Sequence, residues 1–170
     1  MIETPRLLFT EMTQADYESI ASIVQDEETM HAYGGAFSDE ETQAWLDRNL
    51  ARYKKDRFGL WAVLLKETGV MIGMAGLSWQ SNGEKQVLEI GYLFNRQYWG
   101  KGFATEAAKA CKEYAFTALD AEEVYSIIRD TNIASMNVAI RNKMLVRNRF
   151  IKQYRGISMP HLVFSVKKEA

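Results

Sequence analysis

The spacing of apolar residues changes twice along this chain, and these changes restrict the folds that it can adopt. Between residues 38 and 55, apolar side chains recur at the three- and four-residue spacing of an amphipathic helix. Three short β-prone apolar runs follow, at 59–66, 70–79 and 86–94. Helical spacing then returns over residues 103–119. A strand meander between helices excludes an all-parallel doubly wound sheet.

Shorter segments complete the pattern. Thr13 and Ser38, each followed by an acidic residue three positions later, are N-cap signals for two helices, the first ending near Gln25. Asn132 precedes a further helix, whose inward side chains we expect to be Met136, Ala139, Ile140 and Met144. The remaining strands are predicted at 6–10, 123–129, 149–154 and 161–167. This order predicts one α/β domain over residues 1–170, with a mixed central sheet of about seven strands and helices on both faces.

Charge and composition exclude several functional classes. The 170 residues carry 21 basic and 22 acidic side chains and no long basic run, unlike a general nucleic-acid binder. No run approaches the roughly 18–20 apolar residues of a membrane span, and the amino terminus lacks the basic start of a signal peptide. Cys111, His31 and His161 match no metal-ligand spacing. We expect a metal-free cytoplasmic protein, monomeric or homodimeric, with no nucleic-acid or membrane partner.

Two glycines spaced by one residue lie between the last strand of the meander and the next helix. Gly100 and Gly102 let the backbone turn tightly and approach a ligand, and the helix that starts near Phe103 offers unpaired N–H groups. Such a loop suits a phosphate or pyrophosphate, although a bare G-x-G also forms simple turns. It is not a P-loop, and Thr105 stands where the dinucleotide-binding fingerprint has its third glycine.

Three segments resemble the GNAT acyltransferases, and most closely their ribosomal-protein-alanine acetyltransferase-like branch. Gln97-x-x-Gly100-x-Gly102 matches the acetyl-CoA loop of the family, and Glu89-Ile-Gly91-Tyr92 resembles its fourth strand. The run from Asn132 through Ser135 to Val138 resembles the N-x-x-S-x-x-V segment that follows the fifth strand. These matches occur in the family's order, and the resemblance covers nearly the whole chain. It implies the GNAT-like acyl-CoA N-acyltransferase fold.

The resemblance also implies acetyl-CoA as co-substrate. Its pantetheine arm would run between splayed fourth and fifth strands, where Leu93 would offer main-chain hydrogen bonds. Asn132 and Ser135 would lie near the thioester, although an Asn after a strand is also a common helix cap. The pyrophosphate would bind main-chain amides of the loop that contains Gln97, Tyr98, Trp99, Gly100, Lys101, Gly102, Phe103, Ala104 and Thr105.

N-acetylation needs a neutral amine, so the main chemical requirement is a base. An α-amine has a pKa of about 7.7–8.0 and a lysine amine about 10.4, so a modest base favours an α-amine. Glu89 is the candidate base, acting through water, because its strand face leads to the expected thioester site. A buried structural carboxylate is the alternative interpretation. Ser135 can hydrogen-bond the departing sulfur or cap its helix, and we expect Tyr92 to belong to the core.

The chain departs from the family pattern at three places. Ile127-Ile128 and Ala139-Ile140 stand where many members carry an acid and a tyrosine. Lys143 stands where the branch usually has a glycine. The tyrosine and acid version of the mechanism therefore does not carry over, and a non-catalytic acyl-CoA-binding domain remains an alternative to an enzyme.

By the same resemblance, the acceptor enters beside the 30–37 loop, and Tyr33, Phe37 and Trp79 are the substrate-binding candidates. Acidic residues on both sides of this loop can favour a cationic amine or serve only solubility. We predict an N-acetyltransferase that acts on a peptide or protein N-terminal α-amine. The alternative acceptor is a small amine, such as a polyamine or an antibiotic.

Overall fold

The computed structural model describes residues 2–169. Seven strands form one sheet: β1 (Leu7–Thr10), β2 (Leu60–Leu65), β3 (Met71–Ser81), β4 (Gln86–Phe94), β5 (Glu123–Arg129), β6 (Leu145–Tyr154) and β7 (Ile157–Lys167). Four α-helices cover it: α1 (Tyr17–Val24), α2 (Asp39–Asp56), α3 (Phe103–Thr117) and α4 (Ile133–Arg141). Short 3-10 turns cover Gln14–Asp16, His31–Tyr33 and Arg96–Tyr98.

The sheet has the order β1-β2-β3-β4-β5-β7-β6, and its β4–β5 neighbours are parallel while the other pairs are antiparallel. One face, which we call the rear face, is covered by α3 and α4 through buried residues such as Phe103, Ala107 and Ala139. The opposite front face is covered by α1 and α2 through residues such as Ile20 and Leu46. The prediction of a mixed seven-stranded sheet with helices on both faces is confirmed.

Both capping signals that precede the front helices are present. The Asp16 carboxylate accepts a hydrogen bond from the Thr13 N–H at 2.7 Å, at the start of the turn that leads into α1. Ser38 Oγ accepts from the Glu41 N–H at 3.1 Å, and the Glu41 carboxylate accepts from the Ser38 N–H at 2.8 Å. These bonds satisfy N–H groups that a helix start leaves unpaired, so they fix the turn that leads into α1 and the start of α2.

Two details of the carboxyl-terminal third differ from the sequence prediction. β6 and β7 begin at Leu145 and Ile157 rather than at 149 and 161. β6 is an edge strand whose residues are mostly exposed, so it lacks the alternation that identifies a half-buried strand. The inward placement of Ile140 is wrong, because its side chain is 59% exposed. Successive helix residues are about 100° apart, so Ile140 turns towards solvent when Ala139 faces the sheet.

The carboxyl end of α4 forms a Schellman motif without the customary glycine. The Met144 N–H donates to the Ala139 carbonyl at 3.0 Å, and the Lys143 N–H donates to the Ile140 carbonyl at 2.9 Å. Lys143 consequently has φ of +65°. This left-handed conformation costs a residue with a Cβ about 1–2 kcal/mol. Lys143 therefore keeps the family's helix end at the cost of backbone strain.

Within residues 2–169, no helix combines the length and apolar composition that crossing a membrane requires. The same residues contain no group of three or more His, Cys, Asp or Glu side chains that could hold a metal ion.

Replacing Lys143 by glycine should raise the free energy of unfolding by about 0.5–1 kcal/mol, because relief of the strain exceeds the added flexibility of the unfolded chain. Urea denaturation measures this change. Lys143→Ala is the matched control, because it also removes the exposed ion pair with Glu169 but keeps a Cβ at the same φ. A glycine variant no more stable than the alanine variant would contradict the strain argument.

Candidate active site

β4 and β5 share one residue pair and then diverge. Glu89 pairs with Tyr125, but the next rung of a regular parallel ladder is missing. The Ile127 N–H donates instead to Glu89 Oε1 at 3.2 Å. The Ile90 carbonyl accepts from Ser126 Oγ at 3.1 Å. Because two side chains satisfy the main-chain groups of the missing rung, the strands can separate without leaving those groups unpaired.

Two adjoining spaces occupy the opening between these strands. A cavity of about 50 Å³ is lined by residues that include Tyr33, Glu89, Asn132 and Ser135. A cleft of about 1330 Å³ extends from there along α3 and α4 and reaches Gly100. Tyr33, Asn132 and Ser135 line both spaces. The structure therefore brings the predicted base, the predicted thioester contacts and the predicted acetyl-CoA loop to one opening.

The carboxyl group of Glu89 is tuned to titrate near neutrality. Burial raises its pKa from 4.5 to about 7, because an ionised carboxylate loses its hydration inside the protein. The hydrogen bond from the Ile127 N–H and the positive charges of Lys152 and Arg52 oppose this rise. At neutral pH a substantial fraction of Glu89 is ionised and can accept a proton.

The loop before α3 has the geometry of an anion cradle. Gly100 and Gly102 have φ of +75° and +80°, and a Cβ on Gly100 would meet no atom within 4 Å. In the described part of the chain, no protein acceptor meets the N–H groups of residues 103–105, which begin α3. The unpaired N–H groups and the helix dipole fit a pyrophosphate. The N–H groups of Tyr98 and Trp99 donate to carbonyls of their own turn.

Several predicted loop residues have other contacts. The Gln97 N–H donates to the Asn95 side chain at 3.0 Å, and the Trp99 indole donates to the Phe94 carbonyl at 2.8 Å. The Lys101 ammonium lies 5.4 Å from the centre of the Tyr98 ring. Phe103 is buried in the rear core and also lines the cleft, together with Ala104 and Thr105.

Arg6, which is close to the amino terminus, contacts this loop. The sequence patterns did not indicate it. Its guanidinium donates to the Lys101 carbonyl at 2.9 Å, pairs with Glu106 at 2.6 Å and lies over the Phe103 ring. These contacts join residues about a hundred positions apart, so local sequence patterns carry no signal for them. Arg6 fixes the position of the loop relative to the start of α3.

The main-chain groups of β4 that face the opening belong to Tyr92 and Phe94, and not to Leu93 as predicted. The Asn95 N–H donates to the Ile72 carbonyl of β3 at 2.9 Å. Because successive residues of a strand direct their main-chain groups to alternate sides, Leu93 also faces β3. The main-chain groups of Tyr92 and Phe94 face the side where β5 has departed. Leu93 still lines the cleft, but its N–H and C=O groups are directed at the neighbouring strand.

Asn132 and Ser135 lie where β5 leads into α4. Asn132 Oδ1 accepts from the Ser135 N–H at 3.2 Å, so Asn132 caps the helix, which is the alternative role that the sequence indicated for it. The Ser135 carbonyl accepts from the Tyr92 hydroxyl at 2.9 Å. Tyr92 packs against the rear core and also lines both spaces. Among described residues, Ser135 Oγ has no hydrogen-bond partner, so it is available to a ligand.

The three residues predicted to bind the acceptor amine lie in different environments. Tyr33 lies beside Glu89 in the cavity, and burial raises its pKa to about 12. Phe37 packs in the front core, with the Arg155 guanidinium 5.5 Å from its ring centre. Trp79 is half exposed on the rear face, against Phe58, and lines neither space. The structure brings only Tyr33 to the opening.

The acidic residues next to the 30–37 loop are largely engaged within the protein. Arg96 pairs with Asp26 at 3.2 Å and with Glu28 at 2.5 Å. Glu41 caps α2 and pairs with Arg155 at 3.0 Å. The single positive charge of Arg96 is thus shared by two carboxylates, so the Asp26 and Glu28 pair keeps a net negative charge.

The comparisons with known proteins agree with this geometry. Residues 6–145 match the family described as the acetyltransferase (GNAT) domain. YkkB of Bacillus subtilis is 32% identical over 137 residues, which are 80% of each chain. The uncharacterized N-acetyltransferase YnaD of the same organism is 30% identical over 138 residues, 81% of this chain and 78% of that relative. The chain belongs to the GNAT acetyltransferase family, and it is an acetyl-CoA-dependent N-acetyltransferase.

Several solved structures of acetyltransferases have the same fold as this chain. A GNAT acetyltransferase from Bacillus anthracis has a TM-score of 0.83 at 22% identity, covering 98% of this chain and 97% of its own. The ribosomal-protein-S5-alanine acetyltransferase from Vibrio fischeri has 0.77 at 17%, covering 97% and 94%. Spermidine N-acetyltransferase from Vibrio cholerae, in complex with CoA and spermine, has 0.77 at 14%, covering 96% of both. At these identities the likeness shows the fold.

Replacing Gly100 by valine should weaken acetyl-CoA binding on the order of 100-fold, because the side chain would occupy the cradle and remove two or more hydrogen bonds to a charged group. Calorimetric titration measures this loss. Gly69→Val is the matched control, because Gly69 has φ of +71° and also has no atom within 4 Å of its Cβ position. Equal affinities in the two variants would contradict the assignment of the loop.

Proposed function

We propose that this enzyme acetylates the α-amine at the N-terminus of a peptide or protein, with Glu89 as the base. The observation that carries the proposal is the position of Glu89. Its carboxyl, with a pKa of about 7, lines the cavity that adjoins the acetyl-CoA cleft. A base with this pKa is ionised to a useful fraction at neutral pH and can take a proton from an amine through water.

The pKa of Glu89 suits an α-amine better than a lysine or a polyamine. An α-amine, with a pKa of about 7.7–8.0, is within roughly one unit of the carboxyl. A primary alkyl amine such as that of lysine, at about 10.4, is more than three units away, and each unit corresponds to about 1.36 kcal/mol. Removing its proton would therefore need a stronger base than Glu89.

The charges around Glu89 also favour an acceptor with few positive charges. Arg52 and Lys152 both act on its carboxyl, and neither has an ion-pair partner among the described residues. Asp26 and Glu28 share the single charge of Arg96, and neither lines the cavity around Glu89. A polycation would meet unbalanced positive charge here, whereas a single α-amine would meet less repulsion.

We also assign the groups that hold acetyl-CoA, which supplies a thioester carbon when bound. The N–H groups of residues 103–105 bind its pyrophosphate at the positive end of α3. The main-chain groups of Tyr92 and the N–H of Phe94 face the pantetheine arm, whereas the Phe94 carbonyl already accepts from the Trp99 indole. Ser135 Oγ donates a hydrogen bond to the departing sulfur. Proteins of similar fold acetylate both ribosomal proteins and spermidine, so the acceptor class rests on the chemistry around Glu89.

The experiment is to measure thiol release from acetyl-CoA with three matched kinds of acceptor at pH 7.5. The first is a panel of peptides that differ in their free N-terminal residue. The second is the same panel with blocked N-termini and one internal lysine, and the third is spermidine. We expect the best free peptide to exceed the other two kinds at least about tenfold in kcat/KM, because its amine is the least basic. Faster turnover of spermidine or of the blocked peptides would contradict the proposal.

A further inference from the structure

His161, in β7, comes to the cavity that Glu89 lines but has no part in the function described above. Its side chain is 8% exposed, and it lines the same cavity of about 50 Å³ as Glu89. The ring of Phe150 packs against its imidazole, with the ring centres 6.1 Å apart. The β3–β4 turn closes on Phe150 from the other side, and a Cβ on Gly83 would lie 3.0 Å from the Phe150 ring. The imidazole is therefore held in place.

The hydrogen bond of the imidazole determines which ring nitrogen carries the proton. Nδ1 lies 2.8 Å from the Met159 carbonyl oxygen. Because a carbonyl oxygen can only accept, Nδ1 must donate, and in a neutral ring Nε2 then carries a lone pair. Within residues 2–169, Nε2 has no hydrogen-bond partner. Nε2 is not among the fully buried unpartnered atoms of the described residues, so it is accessible to a water or a ligand.

The imidazole is neutral at physiological pH. Burial lowers its pKa from 6.5, and the positive charges of Lys152 and Arg129 add to this effect. The bond to the Met159 carbonyl and the charge of Asp130 act in the opposite direction without reversing it. His161 therefore offers a hydrogen-bond acceptor, and not a second positive charge, to the cavity it shares with Glu89.

The shared cavity is large enough for water. One water needs roughly 10–15 Å³ of such volume and two to four polar partners, so about 50 Å³ accommodates a few molecules. Polar residues that line the cavity include Glu89, Tyr33 and His161, and also Ser126, Arg129, Asn132 and Ser135. A water that donates one hydrogen to Glu89 and the other to Nε2 keeps a lone pair for an amine N–H.

We propose that His161 is a positioning residue, which orients the water that passes the acceptor's proton to Glu89. The inference rests on the proposed role of Glu89 as base. A proton of the acceptor's ammonium form moves to this water as a proton of the water moves to Glu89, and the neutral amine then forms the C–N bond as the C–S bond breaks. The new amide nitrogen loses its extra proton to the departing thiolate. The sulfur leaves with the electron pair of the broken bond. His161 keeps its Nδ1 proton throughout and gains none.

Two substitutions separate the acceptor function from packing. His161→Gln keeps a side-chain acceptor close to the position of Nε2, whereas His161→Leu fills similar space without one. Turnover is measured with whichever amine the wild type acetylates fastest, so the test does not depend on the acceptor class. We expect kcat to fall at least tenfold in His161→Leu and to stay within about threefold of wild type in His161→Gln. Acetyl-CoA affinity should be unchanged in both.

Glu89→Gln completes a double-mutant cycle that tests whether His161 acts through Glu89. We expect His161→Leu to have little further effect when Glu89 is already Gln. Wild-type kcat in His161→Leu, equal losses in the Gln and Leu variants, or an undiminished Leu effect in the Glu89→Gln background would each overturn the inference. Wild-type kcat in Glu89→Gln alone would instead overturn the base assignment, so the two failures are distinguishable.

Discussion

The site forms where β4 and β5 lack the next pair of main-chain hydrogen bonds. Two side chains provide hydrogen bonds in place of the missing pair. Buried main-chain groups without partners are costly, so parallel strands do not separate unless other groups take their hydrogen bonds. Here the Glu89 carboxylate accepts from Ile127, and the Ser126 hydroxyl donates to Ile90. The cavity and the cleft both lie where the strands have parted.

The Glu89 carboxylate that accepts the Ile127 hydrogen bond also lines the cavity. Burying this ionisable group has an energetic cost. The folded-state pKa of about 7 lies above the ordinary value of 4.5, so the protonated form is the one that folding favours. That contribution to stability is fully present below about pH 4.5 and is lost as the pH rises through 7. The loss is on the order of 3 kcal/mol, from about 2.5 units at 1.36 kcal/mol each. A glutamine could accept the Ile127 hydrogen bond without this cost, so the bond alone does not account for a glutamate here.

The sequence was informative wherever a local pattern has one physical meaning. The capping boxes at Thr13 and Ser38, the glycine loop before α3 and the acid inside an apolar strand all follow from neighbouring residues. Periodicity shows which residues share a face but not which face of the sheet receives which helix. Trp79 is therefore a plausible acceptor contact in the sequence, yet it lies on the rear face, away from Glu89.

Other features depend on contacts between distant segments. Arg6 contacts the loop before α3, and His161 comes to the cavity of Glu89, only after the sheet has formed, and no local spacing identifies such pairs. The main-chain direction of Leu93 depends on the pairing of β4 with β3, which the apolar pattern does not specify. Ser126 is the exception, because a serine within an otherwise apolar strand is a visible signal that a polar group is needed at that position.

The most direct test of this account is an NMR titration of the Glu89 carboxyl carbon. Protein labelled with carbon-13 at glutamate side chains would be titrated from pH 4 to 9, and the Glu89 resonance identified by its absence in Glu89→Gln. The account predicts a midpoint near 7, because burial disfavours the ionised form at the strand opening. A midpoint near the ordinary value of 4.5 would mean that the carboxyl is hydrated and too weak a base, and it would contradict the central role given to Glu89.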